Sequence, residues 1–254
     1  MKKIMWIISF VSLAGTAIVL QFMPDNVPMH YDMAGNIDRW GSKYENLLFP
    51  VIILAMSLFW TLFTRYYENK ADKSQDEKEI AGAKSNAKVL SIVGLCMSVM
   101  FTVMQGFILY GSYTEAVSGA EKQYVDIGRV ACILMGLGFL ILGNFMSKTR
   151  INGTVGVRVS WSMYNDNTWR KTNFFGAVTL MFEGVFAIVA AIIMRSSFAA
   201  VMATLVVGII ITIATLIYAH KTYKEEIAAG RLCFVNRFSL KSDKFFPLIR
   251  MGIP

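Results

Sequence analysis

The chain has 254 residues, of which 55% are hydrophobic and only 17% are charged, and its mean hydropathy is +0.50. A soluble protein of this length cannot bury so much apolar surface, so the composition excludes a soluble globular protein and predicts an integral membrane protein. The net charge of +8 is compatible with nucleic-acid binding or with basic cytoplasmic loops. The positions of the basic residues decide between the two.

Six apolar segments are long enough to cross about 30 Å of hydrocarbon at about 1.5 Å per helical residue. They are residues 4–23, 47–64, 89–110, 127–146, 174–194 and 199–219. The first segment is longer than a signal-peptide core, so we expect it to be retained as a transmembrane helix. The sequence therefore predicts an all-α, six-helix membrane bundle. Its expected parts are a first helix pair (1–70), a four-helix region (89–220) and a basic, aromatic tail (221–254).

The distribution of basic residues predicts the orientation of this bundle. With the N-terminus in the cytoplasm, 20 of the 25 Lys and Arg residues fall in cytoplasmic segments. Cytoplasmic loops of membrane proteins carry such an excess, so we expect both termini to face the cytoplasm. The same distribution explains the net charge without direct nucleic-acid binding.

The first outer loop, residues 24–46, contains too specific a set of side chains for a simple connector. Pro24 and Pro28 restrict the backbone, and Ala34-Gly35-Asn36 predicts a tight turn. We expect a folded cap that is stabilised by ion pairs and serves as a recognition surface. An alternative is a divalent cation bound by imidazole and carboxylates, although the spacing matches no known metal motif. The candidate recognition residues are His30, Asp32, Asp38, Arg39, Trp40 and Lys43.

The cytoplasmic loop, residues 147–173, is also predicted to be structured. Gly153 and Gly156 allow turns, the valines at 155, 157 and 159 alternate as in an extended segment, and residues 165–168 look like a helix N-cap. Its basic and aromatic side chains are candidates for binding phosphate headgroups or an acidic partner, the alternative being simple interfacial anchoring. The candidate residues are Asn144, Lys148, Asn152, Arg158, Trp161, Trp169, Arg170, Lys171 and Asn173.

Three polar side chains, Gln105, Arg129 and Glu183, fall inside predicted spans. Glu183 lies near the expected bilayer midplane, so it has to face the bundle interior, be protonated or have a partner. A proton or substrate pathway and a structural inter-helix hydrogen bond are both open interpretations. Glycines at 136, 138 and 143 predict close helix packing along the fourth span.

Both loops carry longer motifs. The inner one contains Gly143-Asn144-x-Met146-x-Lys148, Gly156-Val157-Arg158, Trp161-Ser162 and Trp169-x-Lys171-Thr172-Asn173. The outer one contains Met23-Pro24-Asp25, Val27-Pro28-x-His30-Tyr31 and Asp38-Arg39-Trp40-Gly41-Ser42-Lys43. These motifs resemble the SdpI family of bacterial immunity proteins, and the outer loop resembles a domain of unknown function found at the start of longer members.

This resemblance implies a membrane protein that neutralises a secreted peptide toxin and, as in the founding system, captures a transcriptional repressor at the inner face. Membrane lipids, a peptide toxin and a cytoplasmic repressor are therefore the expected partners. Family members usually carry a histidine where this chain has Asn173. That departure weakens an enzymatic interpretation, and we expect no catalytic residues, cofactor or metal. The second hypothesis is a transporter or lipid-handling protein that uses Glu183 and the basic loop.

Overall fold

The computed structural model describes residues 1–149, 151 and 154–230. Within this part of the chain, six helices are long and apolar enough to cross a membrane, which confirms the predicted six-helix fold. They are α1 (Lys2–Leu20), α2 (Leu48–Lys73), α3 (Glu77–Ser118), α4 (Ile127–Met146), α5 (Asp166–Ile193) and α6 (Ser197–Ala228). The fourth predicted span coincides with α4. The other predicted ends differ because polar residues that favour helix continue α2, α3, α5 and α6 beyond the apolar segments.

Short connections make consecutive helices antiparallel, so the connections lie at two ends of the bundle. The hairpin end contains residues 21–47, 119–126 and 194–196, and the loop end contains the N-terminus, residues 74–76 and residues 147–165. The predicted cytoplasmic location of the loop end follows from charge alone and stays a prediction. The predicted basic, aromatic tail consists largely of residues 231–254, which lie outside the described residues.

The helices pack in two groups of three. Helices α1, α2 and α3 contact one another, as do α4, α5 and α6, and the contact between α3 and α4 joins the groups. The α4–α5 interface is very close: a methyl group on Gly136 would lie 2.6 Å from the carbonyl oxygen of Gly184. Gly143 also faces α5, whereas Gly138 faces Met100 of α3. The predicted role of these glycines in close packing is confirmed.

The α1–α3 group has a polar interior. The hydroxyl of Ser57 on α2 lies 2.6 Å from that of Ser9 on α1 and 3.2 Å from that of Ser98 on α3. One turn nearer the loop end, the indole of Trp6 donates to Thr61 Oγ1 at 3.0 Å. These hydrogen bonds connect helices in a medium where hydrophobic attraction between helices is weak.

Residues 24–46 form a small cap at the hairpin end. Strand β1 (Asn26–Tyr31) pairs antiparallel with β2 (Ile37–Ser42), and a 3₁₀ helix (Lys43–Leu47) leads into α2. An apolar cluster beneath the cap fastens it to α1 and α3; its buried members are Leu20, Met23, Val27 and Leu109. The fold therefore places one ordered β-structure at one end of the helices.

Candidate functional site

The turn of the β-hairpin forms where the sequence predicts it. Gly35 has a φ of +81°, a conformation that favours glycine, and its N–H donates to the carbonyl of Asp32 at 3.0 Å. The Asp32 carboxylate accepts from the backbone N–H groups of Ala34 and Asn36, each at 2.8 Å, and from the Asn36 side chain at 2.7 Å. The hydrogen bond from the Asn36 side chain, and next the one from the Asn36 backbone N–H, hold the pKa of Asp32 below its usual value. Asp32 therefore shapes the turn.

The remaining outer-loop candidates form separate pairs on the hairpin. Histidine 30 Nδ1 lies 2.6 Å from Asp38 Oδ1, and Arg39 pairs with Glu45 at 3.0 Å. Lys43 donates to the Met23 carbonyl at 3.1 Å and pairs with Asp25 at 3.0 Å, with only 12% of its side chain exposed. Trp40 lies on β2 and is 42% exposed. Lys43 therefore stabilises the cap, while His30, Asp38, Arg39 and Trp40 present accessible groups.

The structure does not bring His30, Asp32 and Asp38 together as one ligand set. The carboxylate of Asp32 is occupied by the turn, and His30 pairs with Asp38 alone. Across residues 1–149, 151 and 154–230, no three His, Cys, Asp or Glu side chains lie close enough to hold a metal ion. The geometry gives the alternative of a cation site no support in this loop.

The hairpin is attached to the connection between α3 and α4. The N–H of Ile37 donates to the Glu121 carbonyl, and that of Gln123 donates to the Gly35 carbonyl, each at 2.9 Å. These backbone bonds form an isolated antiparallel bridge between Asn36 and Lys122, beside the two-stranded sheet. Both ends of the turn are therefore bonded to residues that lead into α4.

Glu115, near the end of α3, completes this attachment and is a residue that the sequence analysis missed. Its carboxylate is fully buried and accepts from the hydroxyl of Tyr31 and from the backbone N–H of Tyr124, each at 2.6 Å. Burial, followed by the bond to Glu115, raises the pKa of Tyr31. In the sequence, Glu115 looks like one more polar residue after an apolar span; its partners are distant in the chain.

A cleft of about 300 Å³ lies beside this attachment, between β1 and the facing ends of α3 and α4. Its lining is largely apolar, with Asn46, Ser112 and Tyr31 as polar members, and His30 stands among the lining residues. Ser112 Oγ also donates to the Pro28 carbonyl at 3.4 Å. The hairpin end thus combines a polar surface with an adjacent apolar cleft.

The loop end is organised around the start of α5. The predicted N-cap is confirmed: the Asn165 side chain accepts from the N–H groups of Asn167 and Thr168 at 3.0 and 2.8 Å. Trp169 is 2% exposed, and its indole donates to the Thr149 carbonyl at 2.9 Å. Trp169 therefore packs in the protein and does not act as an interfacial anchor. The described part of residues 151–165 contains turns, bends and two unassigned residues, Val157 and Arg158, and the alternating valines form no β-strand there.

Asn173 holds the preceding loop against α5. It is 1% exposed, its Oδ1 accepts from the Val157 N–H at 2.8 Å, and its Nδ2 donates to the Trp169 carbonyl at 3.0 Å. Gly156 has a φ of +121°, and a side chain there would collide with Asn173. Asn173 therefore has a structural role in this chain.

Glu226, near the end of α6, is the second important residue that the sequence analysis missed. It is fully buried, and its carboxylate accepts from the side-chain amides of Asn165, at 3.1 Å, and of Asn167. Lys171 Nζ lies 3.9 Å from the same carboxylate. Because the sequence places Glu226 in a polar stretch after the last apolar segment, nothing in the pattern distinguishes it from its exposed neighbour Glu225.

The other loop-end candidates are distributed around this buried centre. Lys148 donates to Asn144 Oδ1 at 3.0 Å, and Lys148 and Arg170 line a cleft of about 380 Å³ with Trp169 and Asp166. Arg158 is exposed, and the rings of Trp161 and His220 pack with centroids 4.6 Å apart. Asn152 lies outside the described residues. The loop end therefore exposes several basic side chains beside the buried Glu226 and Trp169.

The intramembrane candidates have three different environments. Gln105 is buried and donates to Thr16 Oγ1 at 3.3 Å and to the Asn46 carbonyl at 3.1 Å. Arg129 pairs with Asp126 at 3.0 Å and donates to the carbonyls of Ala191 and Arg195, each at 2.7 Å. It therefore links the start of α4 to the end of α5.

Glu183 packs its carboxylate against Gly208 of α6, where a side chain on the glycine would collide with it. No hydrogen bond or ion pair to Glu183 is present among the residues that the structure describes. The described residues therefore do not show the inter-helix hydrogen bond considered for Glu183. They show a close packing contact between Glu183 and α6.

Comparison with known families yields two matches on the same chain. Residues 7–54, which contain most of α1, the hairpin and the start of α2, match a domain of unknown function, DUF1648. Residues 148–219, which contain the inner loop, α5 and most of α6, match the SdpI/YfhL protein family. No curated protein and no solved structure matches the chain. The six apolar helices agree with a multi-pass membrane protein, and the two matches confirm the resemblance of the inner segment to the SdpI family and of the N-terminal part to the uncharacterised domain.

Proposed function

We propose that this protein is an immunity or resistance factor of the bacterial cell membrane that binds a secreted peptide toxin at its hairpin end. The observation that carries the proposal is the attachment of the hairpin by Tyr31 and Glu115, which holds an exposed recognition surface in one position. A preordered surface loses less conformational entropy on binding than a flexible loop. Binding, and not catalysis, is the activity that this arrangement supports.

The composition of the hairpin surface fits a peptide ligand. Trp40 supplies a large exposed apolar face, while Arg39 and the His30–Asp38 pair supply charge and hydrogen bonds. Tryptophan and arginine are the residue types that contribute most often to binding hot spots. The neighbouring cleft of about 300 Å³ gives an apolar side chain of the peptide a place to enter.

The proposal extends to the loop end, where the bound state would be signalled to a cytoplasmic repressor. The supporting feature is the buried Glu226, bonded to Asn165 at the start of α5, with the exposed side chains of Lys148, Arg158 and Arg170 at the same end of the bundle. Exposed arginines recognise carboxylates through paired hydrogen bonds, so an acidic patch on the partner is expected.

The experiment uses a strain that lacks the gene and a panel of secreted antimicrobial peptides. We expect the deletion to sensitise cells to at least one peptide, and the intact gene to restore tolerance. Trp40→Ala and Arg39→Ala should fail to restore it at equal membrane abundance. Tyr66→Ala is the matched control, because Tyr66 is a 61% exposed aromatic residue at the opposite end. Unchanged tolerance of the deletion strain across the panel contradicts the proposal.

A second candidate function, proton-coupled transport or lipid handling, is favoured by Glu183. A carboxyl group that has no described partner and lies between two membrane helices is the kind of group that proton pathways use. Vesicles containing the purified protein should then show substrate or proton flux that Glu183→Gln abolishes. Flux that is the same in both proteins eliminates this mechanism.

A further inference from the structure

The interior of the α1–α3 group contains buried polar atoms that no protein group satisfies. In the described part of the chain, Ser12 Oγ, Thr102 Oγ1 and Gln105 Oε1 are buried without a hydrogen-bond partner. Ser12 and Gln105 are only 6% and 2% exposed. Lipid offers no hydrogen-bond donor, so such atoms are unfavourable at this depth unless something polar reaches them.

The orientation of the Gln105 amide is set by its neighbours. Its Nε2 faces the Asn46 carbonyl, which can only accept a hydrogen bond, and lies 3.1 Å away. Exchanging the nitrogen and oxygen would bring two acceptors together, so Oε1 has to point to the other side. That oxygen requires a donor, and backbone N–H groups within α3 are already used by the helix.

The three residues lie within about one helical turn of one another along the group. Helices α1 and α3 run in the same direction, and Gln105 bonds to Thr16, so Ser12 and Thr102 lie about one turn from that contact. The Ser9–Ser57–Ser98 cluster forms the next level towards the loop end. Ile53, which is 1% exposed and one turn from Ser57, is the α2 residue at the level between them.

Three hydroxyls of the neighbouring level already donate to a carbonyl. Ser9 donates to the Met5 carbonyl, Ser98 to the Gly94 carbonyl and Thr61 to the Ser57 carbonyl, at 2.9, 2.9 and 2.7 Å. Ser12 and Thr102 make no such bond. Thr64 Oγ1 on α2 is also buried without a partner, but it lies beyond the serine cluster towards the loop end, so Ser12, Thr102 and Gln105 are the unsatisfied groups on the hairpin side of that cluster.

We propose that Ser12, Thr102 and Gln105 form a buried water-binding site inside the α1–α3 group. A water molecule can donate to Gln105 Oε1 while it exchanges hydrogen bonds with the two hydroxyls, which matches the usual number of about three bonds per buried water. The apolar cluster of Leu20, Met23, Val27 and Leu109 closes the site from the hairpin end. The water connects Ser12 on α1 with Thr102 and Gln105 on α3 and, through the Gln105 amide, with the Asn46 carbonyl.

Radiolytic hydroxyl-radical footprinting of the full chain in lipid nanodiscs, in ¹⁸O-labelled water, tests this site. Radicals form from water that is already bound, so a buried side chain beside it becomes labelled. We expect ¹⁸O incorporation at Ile53. The matched control is Ile188, which packs against Gly136 in the close α4–α5 interface and should stay unlabelled. An unlabelled Ile53 overturns the proposal.

A variant with Ser12→Ala, Thr102→Val and Gln105→Leu removes the polar groups and should lower the labelling of Ile53 several-fold. Equal labelling in the variant and the wild type also overturns the proposal. If the triple variant does not assemble, the nearly isosteric Thr102→Val alone should lower the labelling, and an unchanged signal contradicts the site. These outcomes are independent of peptide binding.

Discussion

The hydroxyl of Tyr31 donates to the buried carboxylate of Glu115 at 2.6 Å, across 84 residues of sequence. This contact helps to attach the hairpin to α3, the helix that also joins the two halves of the bundle. A ligand that moves the hairpin therefore acts on the junction between the halves. The contact explains how a surface at the hairpin end can be coupled to the rest of the molecule.

Tyr31→Phe should destabilise the protein by about 1–3 kcal/mol, because the buried Glu115 side chain loses a hydrogen-bond donor. The measurement is thermal unfolding in detergent, together with hydrogen exchange of the hairpin amides. Tyr44→Phe is the control, since Tyr44 is 60% exposed. If both variants lose equal stability, the Tyr31–Glu115 contact does not hold the hairpin.

The same pair predicts how hairpin stability depends on pH. The pKa of Tyr31 is raised in the folded protein, so folding favours its protonated form. The resulting stabilisation is fully present below the unfolded pKa of about 10 and is lost as the pH rises through the higher folded value. Between roughly pH 9 and pH 11, wild type should lose stability faster than Tyr31→Phe. Parallel curves would show that the pair does not contribute.

Glu226→Ala should loosen the inner loop, because the amides of Asn165 and Asn167 lose their common acceptor. We expect a cost of about 1–3 kcal/mol and faster proteolysis within residues 147–165. The partly exposed Lys171 adds little to this cost, because solvent screens its charge. Glu225→Ala is the adjacent control, since Glu225 is exposed. Equal proteolysis of the two variants would contradict a specific role for Glu226.

Much of the fold follows from the sequence, because hydropathy over about 20 residues reports directly on membrane helices. The Gly35 turn and the Asn165 cap were also predictable, since each depends on local chemistry. Glu115 and Glu226 were not: each looks like a solvated residue near a helix end, and only tertiary packing buries it. Trp169 is the opposite case: its basic, aromatic sequence neighbourhood indicates an accessible residue at the membrane interface, but the fold buries it.

Gly156→Ala should damage the inner loop more than a glycine substitution in open space. A side chain at Gly156 meets both an unfavourable backbone conformation and the Asn173 side chain. We expect a loss of about 1–3 kcal/mol or more, measured by thermal unfolding. Gly119→Ala is the control, since Gly119 also has a positive φ but no atom within 4 Å of an added Cβ. Comparable losses would show that the contact with Asn173 is unimportant.

Arg129→Lys should separate the start of α4 from the end of α5. The guanidinium bonds to Asp126 and to two carbonyls, of Ala191 and Arg195, and a lysine amine cannot reproduce this planar arrangement. We expect a loss of about 1–3 kcal/mol in thermal unfolding, because carbonyls at the end of α5 lose a charged donor. Arg195→Lys is the control, since only the backbone of Arg195 takes part in this contact. If Arg129→Lys unfolds like wild type, the positive charge alone is sufficient, and the fork-shaped geometry of the side chain does not matter at this junction.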